Sequence, residues 1–206
     1  MLDVRELHEL EIDALREVAN IGAGHAATAL SQMTSRRIMV NVPRLQIVRL
    51  EDVAELIAEP DQVVAAVLMH MLGDLTGRTL LVFPRDAAMR LSEILLNRPL
   101  GTSRIFGELE QSAIKEAGNI LSAAYMNALS DFMGMMLLPS VPSLVVDQCA
   151  AVLTTTYTNF GDDRDFAFSI ETQFTMGDEE EAVQAHFLLL PDVESLRIIL
   201  SSIHLR

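Results

Sequence analysis

The sequence predicts an α+β fold in which two structural repeats share one sheet around a pseudo-two-fold axis. Three observations lead there. Helical and strand-like periodicities follow one another in the same order in both halves of the chain. The segment Glu9–Leu45 recurs without gaps as Glu108–Leu144, at a shift of 99 residues, aligning Ile21 with Ile120 and Ala29-Leu30-Ser31 with Ala128-Leu129-Ser130. Finally, Asn97-Arg98-Pro99-Leu100-Gly101-Thr102-Ser103, which joins the halves, is too short and too mixed to be a flexible linker. On this reading 1–206 is a single domain made of two repeats, about 1–98 and 99–206.

The elements follow from local pattern. Apolar residues recur at helical spacing from about Val4 to Met33, and Ile38 to Leu50 changes to short runs of Ile, Val and Leu typical of a strand. Glu51 to Ala58 reads as a short helix stopped near Pro60. Val63–Leu72 and Arg78–Phe83 read as strands joined by the hairpin connection Gly73-Asp74-Leu75-Thr76-Gly77, and Arg85–Leu96 as an amphipathic helix. The second half predicts a long helix to about Phe132, strands within Met136–Tyr157, further strands at Phe166–Met176 and Val183–Leu190, and a closing helix after Pro191. Pro84 and Pro191 are 107 residues apart, against 99 for the helices, so the second half carries an insertion. The acidic loops Gly161–Asp165 and Gly177–Glu181 are its expected place. Their carboxylates lack the ligand and glycine spacing of an EF-hand.

Composition narrows the function classes. With 206 residues and half of them hydrophobic, the chain can bury a core of ordinary size. Fifteen basic against 29 acidic residues give a formal charge of −14, which disfavours nucleic acid and anionic membrane surfaces, although such a charge also serves plain solubility. Cys149 is the single cysteine, so no intrachain disulfide is possible, and its apolar neighbours predict a buried, inert thiol. Met1–Glu6 has no apolar signal region, and Val63–Leu72, the longest apolar stretch, is too short to span a bilayer. A cytoplasmic, unexported protein is expected. The five histidines show no metal-ligand spacing, and no nucleophile elbow, phosphate loop or Cys/His dyad is present. Gly22-Ala23-Gly24-His25-Ala26-Ala27 has the form of a dinucleotide fingerprint, but it lies inside a helix; its glycines read better as a close-packing device.

What the duplication keeps is more informative. Asp13, Glu17 and Asn20, followed by Pro43, recur as Ser112, Glu116, Asn119 and Pro142 with the same internal spacing. On a helix, positions i, i+4 and i+7 fall within roughly 60° of one another, so each trio forms one stripe. Leu15, Val18, Ala19, Gly22, Ala26 and Ala29 project to the other side, as do Ile114, Ala117, Gly118 and Leu121. Both stripes should therefore face solvent. Any amphipathic helix has a polar face, but here neighbouring polar positions drifted between the copies: Gln32 aligns with Asp131, Thr28 with Asn127 and His25 with Ala124. Glu and Asn did not drift, although Asn is a poor helix former.

The spacing Asp/Ser-x3-Glu-x2-Asn-x22-Pro, present twice, resembles the CheC/CheX/FliY family of chemotaxis phosphatases. Glu17–Ala29 resembles the first signature helix of the CheC branch, and Glu116–Ile120 with Ala128–Phe132 the second. Two intact copies favour the CheC branch over the CheX branch, and the chain is expected to lack the extra switch domain of FliY. The resemblance implies a duplicated CheC-like fold, a central antiparallel sheet with two long signature helices packed on it. It also implies a reaction, hydrolysis of the aspartyl phosphate of the response regulator CheY. In that reading Asn20 and Asn119 position the attacking water, Glu17 and Glu116 engage a lysine of the partner, and Asp13 and Ser112 contribute to partner binding. An amide suits the task, since it can donate to and accept from water while adding no negative charge beside the phosphoryl group. The chain is expected to need no cofactor of its own, magnesium being held by CheY, and to be a monomer. The receptor deamidase CheD is a second implied partner, and a non-catalytic adaptor that sequesters phosphorylated CheY or regulates CheD is the alternative. Pro43 and Pro142 are expected to end or shape the strand after each helix.

Overall fold

The computed structural model describes residues 9–49, 52–158, 166–176 and 182–204. The two acidic loops and the first six residues discussed above lie outside the described residues. In chain order the elements are α1 (Glu9–Thr34), β1 (Ile38–Arg49), α2 (Val53–Ile57), β2 (Val63–Gly73), β3 (Gly77–Pro84), α3 (Arg85–Leu95), α4 (Glu108–Met133), β4 (Leu137–Pro139), β5 (Ser143–Gln148), α5 (Cys149–Thr158), β6 (Phe166–Met176), β7 (Val183–Pro191) and α6 (Val193–His204). The strands form one seven-stranded antiparallel sheet in the order β1-β6-β7-β3-β2-β4, with β5 continuing β4 alongside β2. The predicted hairpin of β2 and β3 is present.

Strand alternation divides the core in two. Val67, Met69, Leu81, Phe83, Ile170 and Phe187 point to one face, where they are buried beneath α1, α3, α4 and α6. Val64, Ala66, Leu80, Val82, Leu188 and Leu190 point to the other, beneath α2 and α5. The pseudo-two-fold lies between β3 and β7. It relates β1 to the β4–β5 edge, β2 to β6 and β3 to β7. The first strand of each repeat pairs with the second strand of the other: β1 with β6, and β5 with β2. The repeats are thus interlocked through the sheet.

The recurring prolines have a structural place. Between Asn41 and Arg44, β1 advances three residues while β6 advances only from Gln173 to Glu171. Between Pro139 and Ser143 the opposite edge advances four residues while β2 advances three, from Met71 to Leu68. Each edge strand therefore carries one surplus residue at the same point, beside Pro43 in one case and Pro142 in the other. Proline has no N–H for the ladder and is tolerated at edge bulges; these two shape the strand, as expected of them.

One assignment is corrected. Cys149–Tyr157 is not strand but belongs to helix α5, the counterpart of α2. Its run Val152-Leu153-Thr154-Thr155-Thr156 has strand-like composition. The helix forms because Cys149, Val152, Leu153 and Thr156, spaced three and four apart, are buried together against the sheet. Cys149 is buried as predicted, and burial pushes its thiol pKa up.

Candidate functional site

The two 26-residue helices α1 and α4 lie side by side on one face of the sheet, and small residues set their separation. A Cβ on Gly22 would come within 2.5 Å of the Tyr125 ring and 3.2 Å of the Ala124 carbonyl oxygen, so α1 can approach α4 only with glycine there. A Cβ on Gly118 would lie 2.6 Å from the Val67 side chain, which seats α4 on β2. Gly24 is different: no atom approaches its Cβ position within 4 Å, so the close-packing role expected of both glycines holds for Gly22 alone. The Ser122 and Thr79 hydroxyls meet at 3.3 Å, and the Tyr125 and Thr172 hydroxyls at 3.2 Å, fastening α4 to the central strands. Burial pushes the Tyr125 pKa up.

The helix ends are fixed as well. At the start of α4, Glu110 accepts the Gly107 N–H at 3.1 Å and pairs with Arg98 at 2.5 Å. Its own backbone N–H and the Arg98 guanidinium hold its carboxyl below the ordinary glutamate value, against the opposing effect of burial. The duplicated serines close the exits. The Ser31 hydroxyl accepts the Ile38 N–H at 2.9 Å and donates to the Ile38 carbonyl at 3.1 Å, and the Ser130 hydroxyl donates to the Met135 carbonyl. α4 ends on Gly134 in the left-handed region, φ 68°.

The stripes lie on the outward faces of these helices, open at every position but one. Asp13, Glu17 and Asn20 are exposed, as are Ser112 and Glu116, while Asn119 is half-buried. Asn20 is two residues from Gly22, hence roughly 160° around the axis from the α4 contact. Asn119 is five residues from Ala124, roughly 140° around from the α1 contact. The stripes therefore occupy opposite flanks of the helix pair. They are two separate surfaces, not one composite site. Asp13 carries an ion pair to Arg16 at 2.5 Å on the exposed flank. Repeat alignment also matches Arg16 to Lys115, a signal that a search for conserved acids and amides passes over.

The apolar void beneath the helices, bounded by Leu15, Val18, Tyr125, Phe168 and Phe187, is on the sheet side, away from both asparagines. A convex helix surface cannot enclose a small substrate or exclude water from it. It can enter a pocket that another macromolecule provides. Among the described residues no helix is long and apolar enough to cross a membrane.

Comparison with known proteins converges on the same segments. The model of the CheC-like family matches residues 10–47 and 109–146, which are α1 with most of β1 and α4 with the opposite sheet edge. The chain is 32% identical over 191 residues to the CheY-P phosphatase CheC of Bacillus subtilis, covering 92% of this chain and 91% of that protein. It is 26% identical over 129 residues to the flagellar motor switch phosphatase FliY of the same organism, covering 62% of this chain but 33% of that longer protein. Among solved structures, Thermotoga maritima FliY superposes with a TM-score of 0.80 over 97% of this chain and 98% of that one, at 18% identity, a likeness of fold. The match to both halves and the identity over nearly the whole length make this chain a member of the CheC-like family.

Proposed function

We propose that this protein is a phosphatase of a phosphorylated CheY-type response regulator, with one site on α1 and a second on α4. The observation that carries the reading is the Glu-x2-Asn stripe present once on each of two convex helices packed on the sheet, exposed at Glu17, Asn20 and Glu116 and half-buried at Asn119. Such a convex surface does not enclose a substrate, so in this reading the reacting group and its magnesium belong to the partner. What the helix supplies is an amide and a carboxylate in fixed relation, one turn apart.

In this reading Glu17 or Glu116 forms an ion pair with a lysine at the partner's phosphorylation site and sets the docking register. Asn20 or Asn119 then holds a water in line with the phosphorus. The water oxygen bonds to phosphorus as the bond from phosphorus to the aspartyl oxygen breaks, leaving a free carboxylate and inorganic phosphate. Asp13 and Ser112, one turn before each Glu, would border the same contact. Family resemblance extends the proposal to regulation by CheD, without assigning residues to that contact.

Mixing the protein with phosphorylated CheY and magnesium should accelerate phosphate release. Asn20→Ala with Asn119→Ala should remove about 10²-fold or more of that acceleration, the loss expected when a reacting water is no longer positioned. Each single change should leave the other flank working. A double variant that stayed fully active would sink the mechanism, and tight binding without turnover by the wild type would favour the sequestering adaptor.

A further inference from the structure

We infer that Arg16 and Lys115 are cations supplied in trans to the phosphoryl group, one at each site; the inference rests on the phosphatase reading above. The first copy of the repeat, Glu9–Leu45, contains four arginines: Arg16, Arg36, Arg37 and Arg44. At the 99-residue shift the last three become Met135, Met136 and Ser143. Lys115 is the single basic residue between Glu108 and Leu144, and it falls on Arg16. In the second copy positive charge is absent from every other position of the repeat, in a chain of net charge −14. At this position it stands in both copies.

Geometry gives that position a meaning. Arg16 and Lys115 each precede the asparagine by four residues, so cation and amide are neighbours on one flank, their Cβ atoms about 6 Å apart. Both side chains are long enough to extend past the amide toward whatever it faces. Arg16 is held in the exposed flank by its 2.5 Å pair with Asp13. Ser112, the counterpart of Asp13, has no charge to offer, and no ion pair to Lys115 forms among the described residues. Arg16 is exposed and Lys115 half-buried, and neither is among the buried residues of the apolar core. At the exposed Arg16, packing gives no reason for the recurrence.

The chemistry of the reaction supplies one. An aspartyl phosphate carries negative charge on its phosphoryl oxygens, and that charge must be compensated as the phosphorus is attacked. Each approaching helix brings a glutamate one turn from the asparagine and belongs to a strongly acidic protein. A cation on the same flank offsets that repulsion where it is greatest. It contacts an equatorial oxygen while the amide holds the water on the axial path. The pair would act as arginine fingers do for nucleotide hydrolysis, although in one of the two sites the finger is a lysine, which serves as a point charge.

The experiment measures kcat and KM separately for phosphate release from phosphorylated CheY with magnesium, using the full chain. Arg16→Ala with Lys115→Ala should lower kcat about tenfold or more with KM within about twofold, the signature of an interaction made in the transition state. Arg16→Gln with Lys115→Gln should match it. The charge-keeping exchange, Arg16→Lys with Lys115→Arg, should retain most of the rate, and all variants should melt with the wild type. An unchanged kcat, a loss confined to KM, or a charge-keeping exchange as poor as alanine would each overturn the inference while leaving an active wild type. A wild-type chain that releases no phosphate overturns the phosphatase reading and this inference together.

Discussion

Gly22, Gly24 and Gly118 show how little of a glycine's purpose is visible without its surroundings. All three are helical and within two turns of an asparagine of the repeated stripe. Gly22→Ala would drive a methyl group into Tyr125, and Gly118→Ala one into Val67, so each should destabilise the protein by about 1–3 kcal/mol, the usual cost of overpacking. Gly24→Ala meets open space and should be neutral, or stabilise by up to about 1 kcal/mol through helix propensity. Urea unfolding of the three variants would rank them. The same contrast holds for polar residues. Ser31 and Ser130 recur because each hydroxyl fastens a helix exit to the following chain, whereas the exposed Glu17, Asn20 and Glu116 and the half-buried Asn119 recur with no hydrogen bond or ion pair among the described residues to explain them. Recurrence in sequence marks both kinds equally, and burial with hydrogen bonding separates them.

At the scale of elements, the connection between the repeats is anchored by a buried acid at the end of α3. Glu93 is 1% exposed and accepts the backbone N–H groups of Gly101 at 2.7 Å and Ser103 at 2.5 Å. Burial alone would raise its pKa, but the N–H groups of Ser103 and Gly101 outweigh that and hold it below the ordinary glutamate value. A carboxyl whose pKa is depressed by folding adds stability above its unfolded value, about 4.3, and that stability is lost as pH falls through the lower folded value. Glu93→Gln should therefore lower stability at neutral pH and flatten the decline on the acid side, read as the melting temperature against pH from about 7 to 3. Nothing at Glu93 in the sequence announces this role. The α5 segment errs in the other direction, since its threonines and valine suggest extended chain and the buried row from Cys149 to Thr156 makes a helix of it.

For the whole molecule, the interlocked pairing of β1 with β6 and of β5 with β2 removes independence from the halves. Each repeat alone would leave its first strand and half of its sheet face without a partner. Denaturation should accordingly show one cooperative transition by fluorescence and circular dichroism alike. Chains 1–98 and 99–206 made separately should lack the stable tertiary structure of the intact protein. The order of elements apart from α5, the duplication and the two stripes could be read along the chain, because periodicity and spacing are local properties. Family membership was legible for the same reason, resting on residues within one helix and one strand. The exchange of strands between repeats, the bulge shared by Pro43 and Pro142, and the helical state of Cys149–Thr158 were decided by tertiary structure, since each depends on which surface lies opposite. So was the arrangement of the stripes on opposite flanks. Sequence places Asn20 and Asn119 on the outer side of their helices; only the seating of Gly22 against Tyr125 turns the two away from each other, because a helix has no fixed rotation until something packs against it.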